Sequence, residues 1–307
     1  MAPTPDLPHV TPIPAPADGP RTAFIGIGRV AVVLAPALER LGVPIVALAS
    51  RQAAAAQRLA GQLHGGAAVL RAQEAVDRAE LVWLTVPDDA IAPTTAALRW
   101  RPGQTVVHCS GATELTALQA AADAGAAVAG FHPLQIFSDP ELAAQRLAGS
   151  SVAIEAGGPA EALLERIAAG LGLAVLRLPP GSRALYHAGA AYAASYLLAL
   201  LDEAAAVWRT LGIDEAAALR ALLPLAHLTL DAAGQRGLAQ AQAGPIARGD
   251  ASVVRRQIAA LAGIGVPHAA LYREMGCRQL ELARRAGRLD AAALARLAAA
   301  LGIQDEA

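Results

Sequence analysis

TAFIGIGRVAVVLAPALERLGVPIVALAS, residues 22–50, reads as strand, glycine turn, helix and second strand. Thr22 to Ile25 is a short apolar run, and Gly26-Ile27-Gly28-Arg29-Val30-Ala31 follows at once. This is G-x-G-x-x-A, a dinucleotide-binding fingerprint that needs a strand before it and a helix after it. Gly26 permits the sharp turn out of the strand. Gly28, lacking a Cβ, lets a pyrophosphate approach the backbone. Ala31 is small enough for close packing of helix on sheet. The free N–H groups and positive dipole end of the helix then face the phosphates. Pro36 falls inside that helix and is expected to weaken or kink it. The second strand, Ile45 to Ala49, completes the context.

The end of that second strand bears on which dinucleotide is held. A carboxylate there would accept from a ribose 2′-hydroxyl, as NAD requires. This chain has Ser50-Arg51 instead. A hydroxyl and a guanidinium fork suit a 2′-phosphate, so NADP(H) is the expected cofactor. A solvated surface arginine is the plainer reading of Arg51. Val86-Pro87-Asp88, at the end of a later strand, is expected to complete the cofactor crevice.

Composition narrows the field. The 307 residues suffice for two domains, and the formal net charge of −1 carries no basic block, which argues against nucleic acid. No apolar run reads as a membrane span; Ala188 to Leu201 comes nearest, and Asp202 and Glu203 end it. Cys109 and Cys277 stand far apart and suggest neither a disulfide framework nor a metal cluster. Residues 1–20 are rich in Pro and Ala and lack the plan of a signal peptide. They are expected to be a disordered tail on a cytoplasmic protein. The chain contains no lysine and no asparagine, which excludes Schiff-base, P-loop and lysine general-acid chemistry.

Strand-like and helical runs alternate as far as about residue 180, which implies a doubly wound, mostly parallel α/β sheet. Strands are expected at Leu81–Thr85, Thr105–His108, Ala126–Gly130, Ser151–Glu155 and Ala174–Leu178. In such sheets ligands sit beyond the carboxyl ends of the strands, so Gly28, Ser50, Pro87, Ser110 and His132 should ring one crevice. Pro179-Pro180-Gly181 breaks the pattern. The expected division is therefore a dinucleotide-binding domain over 21–179 and an all-α substrate and dimerisation domain over 180–307. That second part opens with one long helix from Ser182 to Leu211, apolar nearly all round, as suits a domain or subunit interface.

His132 is the first candidate for chemistry. A histidine that titrates near neutral pH can protonate a carbonyl oxygen as hydride arrives. A turn histidine held by Pro133 and satisfied by backbone reads equally well. Ser110 can orient a substrate, although Ser-Gly is also ordinary turn chemistry. His187, Ala191 and Ser195 are spaced i, i+4, i+8, so His187 and Ser195 would share one helix face. Arg248, in the loop Gly244–Asp250, can clamp a carboxylate or be a plain surface arginine. Asp250 reads as a helix N-cap. Cys109 has no evident base to activate it, and His9, His64, His227 and His268 show no pairing.

Taken in order, G-x-G-x-x-A, Ser50-Arg51, TVPDDAI (85–91), HCSG (108–111), GFHPLQIFSD (130–139), LYHAGAAYAASYLLAL (185–200) and GPIARGD (244–250) resemble one bacterial family. That family joins a Rossmann-like N-terminal domain to a helical C-terminal domain of unknown function. The resemblance runs from about residue 22 to 300, and it implies an NADP-dependent oxidoreductase of unestablished substrate. Prephenate dehydrogenases have a similar layout, with a serine and a His-Pro spaced much as Ser110 and His132 are. Their second domain opens on a histidine-bearing helix, which Tyr186-His187 resembles. β-Hydroxyacid dehydrogenases and ketopantoate reductases share the plan but use a lysine and an asparagine, which this chain lacks. Ser195 stands where the family often has asparagine. A histidine acid is thus what the resemblance leaves.

The sequence therefore supports an NADPH-dependent reductase of a small carbonyl compound, a 2-oxo acid or an imine. In it His132 is the acid, Ser110 and His187 orient, and Arg248 and Ser195 bind substrate. Two rivals remain: a cofactor-bound sensor or scaffold with little turnover, and a prephenate-type dehydrogenase. Partners expected are a small-molecule substrate and a second copy of the chain, with no nucleic acid, membrane or metal.

Overall fold

The computed structural model describes residues 19–303. Of the expected tail, residues 1–18 lie outside the described residues. Two compact units emerge, the first ending at Ala191 and the second beginning at Tyr192. The division falls inside a helix rather than at Pro179–Gly181.

The first unit is built as the alternation of apolar runs requires. Strand β1 (Thr22–Ile25) leads through the glycine turn into α1 (Arg29–Arg40), and β2 (Ile45–Ala49) returns beside it. Then come α2 (Ala53–Ala60), β3 (Ala68–Val69), α3 (Ala72–Arg78), β4 (Leu81–Leu84), α4 (Asp88–Ala97) and β5 (Thr105–His108). A 3-10 turn (Leu115–Leu118) and α5 (Gln119–Asp123) lead to β6 (Ala127–Leu134). The unit continues with α6 (Pro140–Gln145), β7 (Ser151–Glu155), α7 (Gly158–Gly170), β8 (Ala174–Arg177) and α8 (Arg183–Ala193). The eight strands lie in the order β3-β2-β1-β4-β5-β6-β7-β8.

Pairing is parallel from β3 through β6, as a doubly wound sheet demands. The exception is β7, which runs antiparallel to β6 and carries β8 with it. The consequence is a row of residues in register: His108 of β5 pairs with Gly130 of β6, and Gly130 with Glu155 of β7. Helix α1 runs through Pro36 without a break in its span. Ala31 is fully buried where α1 meets the sheet.

Apolar side chains fill both faces of the sheet. Trp83 stacks on Phe24 at 6.0 Å and meets Phe131 edge-on at 5.1 Å. Phe131 thus anchors β6 in the core. Side chains alternate along a strand, so Gly130 and His132 share the opposite face.

The second unit is helical: α9 (Ser195–Arg209), α10 (Glu215–Arg236), α11 (Leu238–Ala241), α12 (Ala251–Ile264), α13 (Val266–Ala286) and α14 (Ala291–Leu301). Its core gathers Ile246, Val254, Leu280, Leu297 and Leu301. The expected single helix over 182–211 is two helices. Ala194 leaves helical geometry (φ −116°, ψ −84°), ending α8 and starting α9 at Ser195. The uninterrupted i, i+4, i+8 face proposed for His187 and Ser195 is therefore lost. The stretches Arg183–Arg209 and Glu215–Arg236 are apolar and long enough to cross a membrane by length and composition, which corrects the expectation that no such stretch exists.

Candidate active site

The crevice begins at the glycine turn. Gly26 sits at φ +92°, and a Cβ there would meet Val86 Cγ1 at 2.6 Å and the Val86 nitrogen at 2.9 Å. Only glycine tolerates both constraints. Gly28 differs: a Cβ built on it touches nothing closer than the Thr85 carbonyl at 3.7 Å and would project into open space. It is a cradle that a side chain would fill and a phosphate can enter. Gly28 also caps α1 with no side-chain hydrogen bond, and no acidic residue sits in the first turn. The dipole end of α1 is left for an anion.

A crevice of about 1120 Å³ runs from this turn, walled by Gly26, Ile27, Gly28, Ser50, Arg51, Val86 and Pro87. Seven of the ten residues expected to hold the cofactor line it. Arg29, Val30 and Asp88 do not; the first two lie in the opening turn of α1, and Asp88 opens α4. At its far end the crevice is bounded by Ser50, exposed Arg51 and Arg71. Strand register explains Arg71. Leu48 of β2 pairs with Val69 of β3, so Ser50 and Arg71 leave neighbouring strands side by side. One carboxylate, Glu74, also borders the crevice, and Arg71 holds it with hydrogen bonds of 2.6 and 3.1 Å.

A second cluster lies on the carboxyl side of β5 and β6. His132 sits inside β6 rather than after it, two residues past the level at which β5 ends. Its Nδ1 is 2.9 Å from the Tyr186 hydroxyl, and its ring meets the His187 ring edge-on at 5.7 Å. Gly111 lies beneath both imidazoles: a Cβ there would stand 2.5 Å from His187 Cδ2 and 2.9 Å from His132 Nε2. The near-neutral titration expected of His132 is not found. Burial pushes its pKa down to about 4, aided by His187 and Arg183, while Asp88 opposes. The ring is neutral at physiological pH. Burial likewise holds the Tyr186 hydroxyl above its usual range.

Ser110 is spent on its turn. Its Oγ donates to Thr113 Oγ1 at 2.9 Å and accepts from the Ala112 and Thr113 N–H groups. The serine builds the bend that carries Gly111 under the histidines, and its hydroxyl is committed there. Cys109 is buried, which lifts its thiol to about 12 and leaves it inert.

Sequence reasoning missed a fully buried charged group. Arg183, fully buried, lies across the His108–Gly130–Glu155 row. It donates to the Ser110 carbonyl at 2.6 Å and to Glu155 Oε2 at 3.3 Å. Gly130 makes room, since a Cβ there would strike the guanidinium. The signal in sequence was only a lone arginine after Pro179-Pro180-Gly181-Ser182, without a visible partner. His108 is fully buried as well, and burial with Arg183 nearby drops it to about 3.

In the helical unit, Asp250 caps α12 by accepting from the Val253 N–H at 3.1 Å, as its position suggested. Arg248 is exposed in the preceding turn, and Ser195 is exposed at the start of α9. His268, which sequence left unpaired, meets Glu203 at 2.6 Å, and His64 approaches Glu39 at 3.4 Å. Among the described residues no cluster of His, Cys, Asp or Glu could hold a metal ion.

Comparison with known proteins fits this architecture. The chain resembles Thermotoga maritima TM1727 with TM-score 0.72 and 23% identity, covering 87% of this chain and all of that one. It resembles a reductive aminase from Aspergillus terreus, solved with NADPH and ethyl levulinate (TM-score 0.60, 18% identity, 92% and 93% covered). An imine reductase from Pseudomonas sp. is also similar (TM-score 0.60, 17% identity, 91% and 99% covered). At these identities the likeness is one of fold. No curated protein matches the sequence. Residues 19–133 match the Rossmann-like domain and residues 150–279 the domain of unknown function DUF2520. The chain belongs to the family that joins these two domains, as its motifs implied.

Proposed function

We propose that the protein is an NADPH-dependent reductase of a small carbonyl compound. The observation that carries this reading is the presence, in one unit, of an open glycine cradle at Gly28 and of the His132 and His187 rings packed together above Gly111. Gly26–Gly28, Val86 and Pro87 would hold the dinucleotide, and Ser50 with Arg51 its 2′-phosphate. NADPH held there supplies a hydride equivalent. The chain's own residues hold and polarise the acceptor.

His132 is the hydrogen-bond donor to that acceptor, as a neutral imidazole. With the Tyr186 hydroxyl donating to Nδ1, the ring N–H stands on Nε2, the nitrogen above Gly111. A neutral donor of this kind polarises a carbonyl without first titrating. His187 orients the substrate beside it. Arg248 and Ser195 of the helical unit are assigned to the rest of the substrate, Arg248 to a carboxylate, which makes a 2-oxo acid the favoured class. An imine is the second reading, and the fold shared with the imine reductase and reductive aminase supports it.

Exposed apolar side chains on α9 and α10, among them Leu198, Leu225, Leu228 and Leu230, are a surface for a second copy of the chain in a cytoplasmic homodimer. A dimer mass by light scattering without detergent supports this; a monomer, or a need for detergent, refutes it.

The deciding experiment is titration of NADPH and NADH against wild type and Arg51→Ala. The reading requires wild type to prefer NADPH and the variant to lose that preference. It also requires NADPH consumption with some member of a carbonyl and imine panel; tight binding without turnover on any of them supports a sensor instead.

A further inference from the structure

Arg183 is a fully buried charged side chain in the first unit, and nothing in the reading above uses it. Its surroundings are built for it. Gly130 has no Cβ, and one would stand 2.4 Å from the guanidinium. The Ser110 carbonyl and Glu155 accept from its two terminal nitrogens. Its own backbone N–H donates to Glu114 Oε1 at 3.0 Å, so a second acid pins the first residue of α8. Three chain segments, the 110–114 turn, β7 and α8, therefore converge on one residue. Tyr186 and His187 follow within the next turn of the same helix. The Ser110 carbonyl it grips belongs to the bend that carries Gly111.

We propose that Arg183 is a positioning residue for His132. Laid across the His108–Gly130–Glu155 row, it locks the start of α8 to the sheet and sets the Tyr186 hydroxyl and His187 ring against the His132 imidazole. It does not touch the reacting atoms. Its effect passes through the Tyr186 bond to Nδ1, which selects the tautomer, and through the bend that holds Gly111 beneath Nε2. The inference rests on the reading above for assigning His132 to the reaction. The groups facing His132 are Tyr186, His187 and Arg183 from α8, His108 from β5, Asp88 from the start of α4, and Glu155 of β7 behind the guanidinium. Removing the guanidinium removes a fixed positive charge from this set and frees α8.

The test is ¹⁵N-edited NMR of the imidazoles in the full chain, with His132 assigned from His132→Gln. Arg183→Met alone strands Glu155, so the informative variant is Arg183→Met with Glu155→Gln, which leaves no unpaired charge buried. Gly130→Ala is the independent perturbation, pushing the guanidinium aside while keeping its charge. Wild type should show one His132 tautomer, protonated on Nε2, that stays neutral down to about pH 5. In either variant, with circular dichroism and NADPH affinity at wild-type level, the two tautomers should mix; in the double variant the midpoint should also rise toward that of an ordinary histidine. A folded variant that keeps the wild-type His132 tautomer and midpoint overturns the proposal. If wild type binds no dinucleotide, the reductase reading fails while the His132 spectra still decide this one.

Discussion

His132 Nδ1 and the Tyr186 hydroxyl stand 2.9 Å apart, joining β6 to the fourth residue of α8 across 54 residues of sequence. That contact fixes which nitrogen of the imidazole faces Gly111. Tyr186→Phe keeps the ring and deletes the hydrogen bond. It should cost about 1 kcal/mol of stability and lower turnover about tenfold, the equivalent of about 1.4 kcal/mol in the barrier. Urea unfolding and steady-state kinetics on the substrate found by screening check the two effects separately.

Acid should loosen the fold through the buried histidines. His132 is held at about 4 against an ordinary 6.5. The folded value is the lower one, so the unfolded chain takes the proton first. The stability that His132 leaves intact above pH 6.5 is progressively lost as pH falls to about 4. The linkage is about 1.4 kcal/mol per pKa unit, so the loss from this group approaches about 3 kcal/mol. His108, held at about 3, acts in the same sense. Unfolding free energies at pH 7, 5.5 and 4.5 should fall more steeply for wild type than for His132→Gln. Parallel slopes would contradict the assigned shift.

Two neighbouring glycines should fail in different ways. Gly26→Ala meets both a left-handed backbone and the Val86 contact, so it should destabilise the chain by roughly 1–3 kcal/mol. A Cβ at Gly28 makes only an ordinary 3.7 Å contact with the Thr85 carbonyl, so Gly28→Ala should fold with a near wild-type melting temperature, yet lose NADPH binding at least tenfold. Differential scanning fluorimetry with and without NADPH separates these outcomes.

Gly111→Ala probes the space beneath the histidines. Its methyl group would collide with His187 Cδ2 and His132 Nε2, both on side chains able to swing away. The fold and the affinity for NADPH should survive, because the cradle at Gly28 is untouched. Turnover should drop about 100-fold, the scale expected when a reacting group is displaced by about an ångström. Kinetics beside a nucleotide titration would show whether the loss is confined to the chemical step.

The chain's first half was legible because its signals are local. A strand, a glycine turn and a helix are dictated by residues within about ten positions of one another, so Gly26, Gly28, Ala31 and the strands at 105–108 and 151–155 could be read directly. Ser50 and Arg51 followed from the same rule about strand ends. The Asp250 cap was equally local, needing only the N–H three residues on. The helical unit was legible as helices and no further, because an alanine-rich surface carries little periodic contrast. The break at Ala194 has neither glycine nor proline to announce it.

What tertiary structure alone decided are the quantities set by distant partners. The reversal of β7 brings Glu155 level with Gly130, and no pattern within either strand specifies that register. Arg183 finds Glu155 at 28 residues' separation and the Ser110 carbonyl at 73. The protonation of His132 belongs here too. A sequence gives only an imidazole's ordinary titration near neutral, whereas the folded value follows from burial and from the charges that the fold gathers round it. The sequence by itself determined the strand, the glycine turn and the helix that frame the crevice. Only the folded chain determined that His132 is neutral, because desolvation is a property of neighbours in space.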